Sequence, residues 1–269
     1  MKRAIVVALL SLLALPAAAS AAPYVVTLHD SVTNVDATVD GLSQSMKLPA
    51  AAQRYKAALK GFAVDLTDAQ VAKLRANPAV AFVQPDVTFT ATASARPTPT
   101  PTPTATLAPS PTPVPAEVTP PGVRRIGPPH AAATGAVAVL DTGVDLTQPD
   151  LNVLSGTNCV KPGTPAADDN GHGTNVAGIA AARSDGNGVV GVAPGTRIYA
   201  VKILNNRATG TLSQFLCGIN WVAANAASLG INVANMSVAG SGKDDGNCGN
   251  TNGDAEHKAI CAAAAAGVT

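Results

Sequence analysis

Between Thr92 and Pro121 the chain reads TASARPTPTPTPTATLAPSPTPVPAEVTPP, proline alternating with threonine, serine and alanine. Proline removes a backbone donor and fixes an extended geometry, so this stretch cannot build a core. Its natural form is a semi-rigid polyproline-II-like spacer of about 3.1 Å per residue. Folded structure must therefore lie on either side of it, as separate units. A ligand for a proline-recognising domain is the competing use, and in an exported chain the threonines are also acceptors for sugars.

The first 22 residues decide the compartment. Lys2 and Arg3 precede an apolar run from Ala4 to Leu15, and small residues lead up to Pro23. This is the layout of a secretory signal peptide over residues 1–22. As a membrane anchor the run is too short, because it breaks at Pro16 and a span needs roughly 20 apolar residues. A secreted, extracellular protein is expected, with no membrane contact after signal removal. With a net charge of +1 over 269 residues, the chain has no basic or acidic excess to suggest nucleic acid as a partner. The composition is 46% hydrophobic but only 3% aromatic, so alanine and valine must fill the cores. That suits alanine-rich helices packed on valine-rich strands.

In the unit before the spacer, residues 23–91, YVVTL (Tyr24–Leu28), GFAVDL (Gly61–Leu66) and VAFVQ (Val80–Gln84) read as short β-branched strands. Thr67 and Gln70 form a T-x-x-Q capping box, Val71 and Leu74 continue an apolar stripe, and Asn77-Pro78 ends it, which predicts a helix between the last two strands. A second helix is predicted over Ala50–Leu59. Strands alternating with helices over about 70 residues imply a small α+β domain of the split βαβ, ferredoxin-like kind.

After the spacer, the buried-strand run Val137–Leu140 leads directly into Asp141-Thr142-Gly143, placing Asp141 at a strand's carboxyl end, where open α/β sheets put their sites. A D-T-G triplet alone also occurs in aspartic proteases, but the second copy that their dyad needs is absent. Some 30 residues on, DDNGHGTNVAGIAAA places His172 near the start of a helix whose stripe runs through Val176, Ile179 and Ala180. Gly171 and Gly173 beside it would admit close backbone approach. A strand is predicted from Arg197 to Ile203, and Leu212, Phe215, Leu216, Ile219, Val222 and Ala223 mark one face of a long helix; Phe215 and Trp221 read as core.

The paired Asp141 and His172 boxes, in this order and near this separation, resemble those of subtilisin-like serine proteases, and the first unit resembles their inhibitory propeptide. The resemblance implies a subtilisin-like α/β fold with a parallel sheet and helices on both faces, with residues 122–269 as its N-terminal part. It implies that His172 is the general base for a serine and that Asp141 fixes the imidazole tautomer. It also implies that Gly210 in one strand, and Ser237, Val238, Ala239 and Gly240 in another, grip an extended polypeptide substrate, and that the propeptide tail Asp86–Thr90 lies between them as an intramolecular inhibitor. Asn175 stands where the family commonly has a second histidine, and Ala239 where it has glycine. Asp150 and Asp185 align with side-chain ligands of a structural calcium site. No cofactor is required for the chemistry, and a monomer is expected.

Cys159, Cys217, Cys248 and Cys261 all follow the spacer, and an even count in an exported chain favours disulfides over a zinc site, since no C-x-x-C pair occurs. Of the three possible pairings we expect Cys159–Cys217 and Cys248–Cys261, the latter joining a polar turn to an alanine-rich helix over Ala255–Ala266. Gly267 is placed to end that helix, and Val268-Thr269 to begin a strand. The family's oxyanion asparagine and G-T-S-M-A serine box would follow. In a subtilisin, loss of the serine costs about 10⁶ in kcat, so residues 1–269 alone are expected to be inactive. The competing reading is a non-catalytic propeptide-like protease inhibitor or chaperone carrying a degenerate peptidase remnant.

Overall fold

The computed structural model describes residues 20–92, 117–127 and 131–269; the apolar run of the expected signal and most of the spacer lie outside them. The first unit runs β1 (Ala22–Leu28), α1 (Val35–Met46), β2 (Gln53–Tyr55), β3 (Gly61–Leu66), α2 (Asp68–Arg75) and β4 (Val80–Pro85). Its antiparallel sheet has the order β2-β3-β1-β4, and its β-α-β-β-α-β succession is the ferredoxin-like one. Alternation along β1 sorts the two faces. Val26 and Leu28 join Phe62, Val64, Val39 and Leu74 in a core under α1 and α2, while Val25 and Ala63 face the other way, into the second unit. The capping box of α2 forms as read, with Thr67 and Gln70 each bonding the other's backbone.

The helix predicted over Ala50–Leu59 is not there. Those residues hold the edge strand β2 and the bend after it, and the helix lies earlier, as α1. Alanine content favours a helix at 50–59, but burial decides. Tyr55 is fully buried and bonds the second unit, while Arg54, one residue away on the opposite face, pairs with Asp36 and Asp40. In α1 the spacing of Val35, Val39 and Leu42 buries one stripe, and the Asn34 carboxamide caps the first turn. Gly41 and the β-branched residues weaken its local helix signal.

The chain then leaves the first unit as β5 (Thr88–Ala91). The second unit contains α3 (Pro121–Ile126), β6 (Ala136–Asp141), β7 (Asn152–Asn158), α4 (His172–Ala181), β8 (Arg197–Lys202), β9 (Thr209–Thr211), α5 (Leu212–Leu229), β10 (Ile231–Asn235), β11 (Val238–Ala239) and α6 (Ala255–Ala265). Its four-stranded sheet is wholly parallel in the order β10-β6-β8-β7. Both faces are covered, as a parallel sheet requires. Val139, Ile198 and Ala200 pack with Ala177 and Ala181 of α4, whereas Ala138, Leu140, Tyr199 and Val201 pack beneath α5 and α6. Each fully buried valine or leucine here is worth about 1.5–3 kcal/mol relative to exposure. The fold class read from the sequence, an α/β parallel sheet with helices on both faces preceded by a small α+β domain, is the one observed.

Helix α6 ends as expected on Gly267, at φ +87°. The N–H of Val268 bonds Ala263 O and that of Gly267 bonds Ala264 O, the paired bonds of a Schellman turn. Thr269 then exchanges backbone bonds with Asn232 and Ala234, which is parallel pairing beside β10. Two residues of the expected spacer contact the second unit: Val118 forms a parallel bridge with Val189, and Glu117 accepts the N–H groups of Asp185 and Gly186.

Candidate active site

Asp141 ends β6 and is fully buried. Its Oδ1 accepts the Thr142 N–H at 2.6 Å, and His172 Nδ1 lies 2.8 and 2.9 Å from its two oxygens. A carboxylate so placed keeps the ring proton on Nδ1 and turns Nε2 outward. Burial pushes the Asp141 carboxyl above its usual range, opposed by the bond from His172 and the Thr142 N–H.

His172 is the first residue of α4, and the sequence fixes that start with two glycines used differently. Gly171 caps the helix at φ +105°, a conformation that favours glycine. Gly173 is needed for proximity, since a methyl group there would press on the Gly143 carbonyl and lie 3.0 Å from the Asp141 Cβ. The residue that fastens helix to strand is Asp168. It accepts the Thr142 hydroxyl at 2.8 Å, the N–H groups of Asn170, Gly171 and Thr174, and the Thr174 hydroxyl. Burial works against its ionised form, yet these bonds outweigh burial and hold its carboxyl below the ordinary range. Its place in DDNGHG, four residues before the histidine, was the available signal.

In front of His172 lies a three-stranded antiparallel sheet, β11-β5-β9, whose middle strand comes from the first unit. Phe89 pairs with Gly210, Ala91 with Val238, and Thr90 with Thr209 on one side and Ala239 on the other. Beyond the strand, Thr92 N–H donates to Ser237 O at 3.0 Å, and the Thr92 carbonyl oxygen lies 3.2 Å from His172 Nε2. Upstream, the Asp86 carboxylate accepts Ser213 N–H and Oγ–H, both at 2.7 Å, at the start of α5. Phe89 is buried and stacked on Phe215 at 5.3 Å, and a methyl on Gly240 would lie 2.6 Å from its ring. Phe215, read as plain core, is thus also the floor of a pocket for the third residue before Thr92. Gly210, Ser237, Val238, Ala239 and Gly240 all lie at this sheet or its edge, whereas Trp221 packs against Tyr199 at 6.0 Å.

Asp150 and Asp185 lie apart from this groove. Asp150 accepts the N–H groups of Arg183 and Val189, Asp185 accepts that of Asn187, and Glu117 accepts those of Asp185 and Gly186. Their oxygens are hard donors of the kind calcium prefers, and each carboxylate keeps lone pairs beyond those its N–H partners occupy. Among the described residues no group of three or more His, Cys, Asp or Glu is set to hold a metal ion. The cysteines join as Cys159–Cys217 and Cys248–Cys261.

Residues 134–268 match the Subtilase family, and residues 17–92 match the family described as Peptidase inhibitor I9. The chain belongs to the subtilase family. It is 36% identical over 182 residues to an alkaline protease of Alkalihalobacillus alcalophilus, covering 65% of this chain and 40% of that protein. Subtilisin Savinase of Lederbergia lenta is 44% identical over 130 residues, 46% of each chain, and Subtilisin E of Bacillus subtilis 33% identical over 185 residues, 66% of this chain and 42% of its own length. The chain thus spans less than half the length of these relatives. No helix among the described residues is long and apolar enough to cross a membrane.

Proposed function

We propose that this chain is the front part of a secreted serine endopeptidase precursor that cleaves polypeptides by acyl transfer, its N-terminal domain being an intramolecular inhibitor. One observation carries the reading. The Thr92 carbonyl, at the end of a strand clamped on both edges, lies beside the outward nitrogen of a histidine backed by a buried aspartate.

In this reading the serine nucleophile and the oxyanion donor come from sequence that follows Thr269. His172 Nε2 takes the serine proton as Oγ attacks the Thr92 carbonyl carbon. The resulting imidazolium is stabilised by Asp141 and then returns the proton to the leaving amine of the next residue. Water repeats the sequence on the acyl-enzyme and leaves a free carboxylate on Thr92. Because the groove binds main chain, its grip tolerates many side chains, with selectivity concentrated where Phe89 meets Phe215.

The test is to express the gene extended past Thr269 and assay peptide hydrolysis with and without His172→Ala. Loss of hydrolysis in the variant supports the reading; no hydrolysis from the extended protein favours the inhibitor-or-chaperone alternative. A calcium contribution is checked separately by adding a chelator. A fall in Tm that calcium restores would support a structural ion held by Asp150 and Asp185, and an unchanged Tm would count against it.

A further inference from the structure

We propose that Lys202 is a positioning residue for the Asp141–His172 pair, fixing by one buried ammonium group the two segments that carry it. The proposal rests on the protease reading above and adds to it a residue remote from the substrate groove. Lys202 ends β8 and stands in register with Asp141 at the end of β6. The four residues before it, Ile198, Tyr199, Ala200 and Val201, are apolar and buried, and Lys202 is buried with them. An ammonium group in such surroundings is costly unless its N–H groups find acceptors, and an apolar side chain of similar volume would serve the sheet at least as well. Packing alone therefore gives no reason for a lysine here. Its bonds do.

The ammonium has three N–H donors and meets three acceptors. They are Thr142 O at 2.5 Å, Leu204 O at 2.9 Å and Asp169 Oδ1 at 2.6 Å. Each belongs to a segment that shapes the site. Thr142 follows Asp141 and is held at every polar group it has. Its N–H donates to Asp141 Oδ1, its hydroxyl donates to Asp168 and accepts the Gly173 N–H, and its carbonyl accepts from Lys202. The N–H of Leu204, with that of Ile203, donates to Asp141 O, so the chain leaving β8 is tied to the same aspartate.

Asp169 brings in the histidine. It lies three residues before His172, in the turn that leads into α4, and the next residue, Asn170, accepts the His172 N–H and donates to Asn206 O. The Asp169 side chain is half exposed, so it balances the buried charge without being fully desolvated itself. Asp168 links Thr142 to the first turn of α4 through its hydroxyl; Lys202 fixes the carbonyl of the same residue and the turn beside it. Without the ammonium, the Thr142 carbonyl and the Asp169 carboxylate lose their common partner, and the aspartate and the histidine are free to drift relative to each other.

The test reads the bond between His172 Nδ1 and Asp141 directly, by proton NMR on the full chain, and needs no nucleophile. A proton held there resonates downfield of the backbone amides. Lys202→Met, similar in length but without donors, should move this resonance upfield or broaden it through faster exchange with water, the amide spectrum staying otherwise native. Asp169→Ala breaks the same link at its exposed end, where folding does not depend on it, and should give a smaller change in the same direction. In the extended protein, Lys202→Met should lower kcat by about 10- to 10²-fold with KM little changed, the scale of a misplacement of about 1 Å. An unchanged resonance in both variants, or a Lys202→Met protein whose Tm falls while kcat holds, would overturn the proposal, because Lys202 would then serve the sheet alone. Absence of hydrolysis by the unmodified extended protein would instead sink the protease reading, with the resonance still deciding the role of Lys202, so the two failures are distinguishable.

Discussion

His172 and Asp168 do different work although they are four residues apart. His172 Nε2 faces the Thr92 carbonyl oxygen and is the base in the proposed reaction, so His172→Ala in the extended protein should lower kcat by about 10²–10⁴ with the fold intact. A loss under about tenfold, in a steady-state peptide assay, would contradict its role as base. Asp168 touches neither substrate nor reacting atoms and acts by holding Thr142 against the first turn of α4. Asp168→Asn would turn an N–H donor toward Thr174, and misplacing the imidazole by about 1 Å can cost on the order of 10² in rate. The expected signature is a lower kcat with KM little changed. Its pH dependence follows from the lowered carboxyl. The contribution of Asp168 to stability is fully present above its ordinary value of 3.8 and is lost as pH falls through the lower folded value, so Asp168→Asn should flatten the acid limb of a stability profile.

At the scale of elements, the two bridges differ in what they close. Cys159–Cys217 spans 58 residues and ties the end of β7 to α5, whereas Cys248–Cys261 spans 13. Loop-closure entropy alone gives about 4 kcal/mol for the first and about 3 for the second. Denaturant melts of the two double-serine variants should therefore show the larger loss for Cys159→Ser/Cys217→Ser, and the reverse order would mean that native contacts outweigh the chain-entropy difference.

The same scale shows what was legible beforehand. Strands with apolar runs, the α2 capping box, the long α5 stripe and the strand leading into Asp141 could all be read locally, because local chemistry and tertiary burial agree there. At Ala50–Leu59 they disagree, since alanine favours a helix but Tyr55 is needed on a strand to reach the Ser213 carbonyl. In the candidate site, the Asp141 and His172 boxes were legible as motifs. The Asp168–Thr142 contact, the Phe89–Phe215 stack and the docking of Glu117 join residues 26 to 126 positions apart, and no single-segment pattern encodes such pairs.

For the whole molecule, the two units share one hydrophobic core. Val25, Tyr55, Leu59 and Phe89 of the first pack with Leu212, Phe215, Ala255 and Ala259 of the second. Polar bonds then set the register: Asn220 Oδ1 accepts the N–H groups of Lys56, Ala57 and Ala58, and Tyr55 donates its hydroxyl hydrogen to Ser213 O. This docking fixes which peptide bond stands before His172. The most direct measurement is the intact mass of the N-terminal fragment released by the extended precursor, because its carboxyl end is unaffected by later trimming of the spacer. The expected result is a fragment ending at Thr92, and no such fragment from His172→Ala. A fragment ending elsewhere, or one released equally by the variant, would contradict the claim that the tail of the first domain lies across the Asp141–His172 pair as its cleavage product.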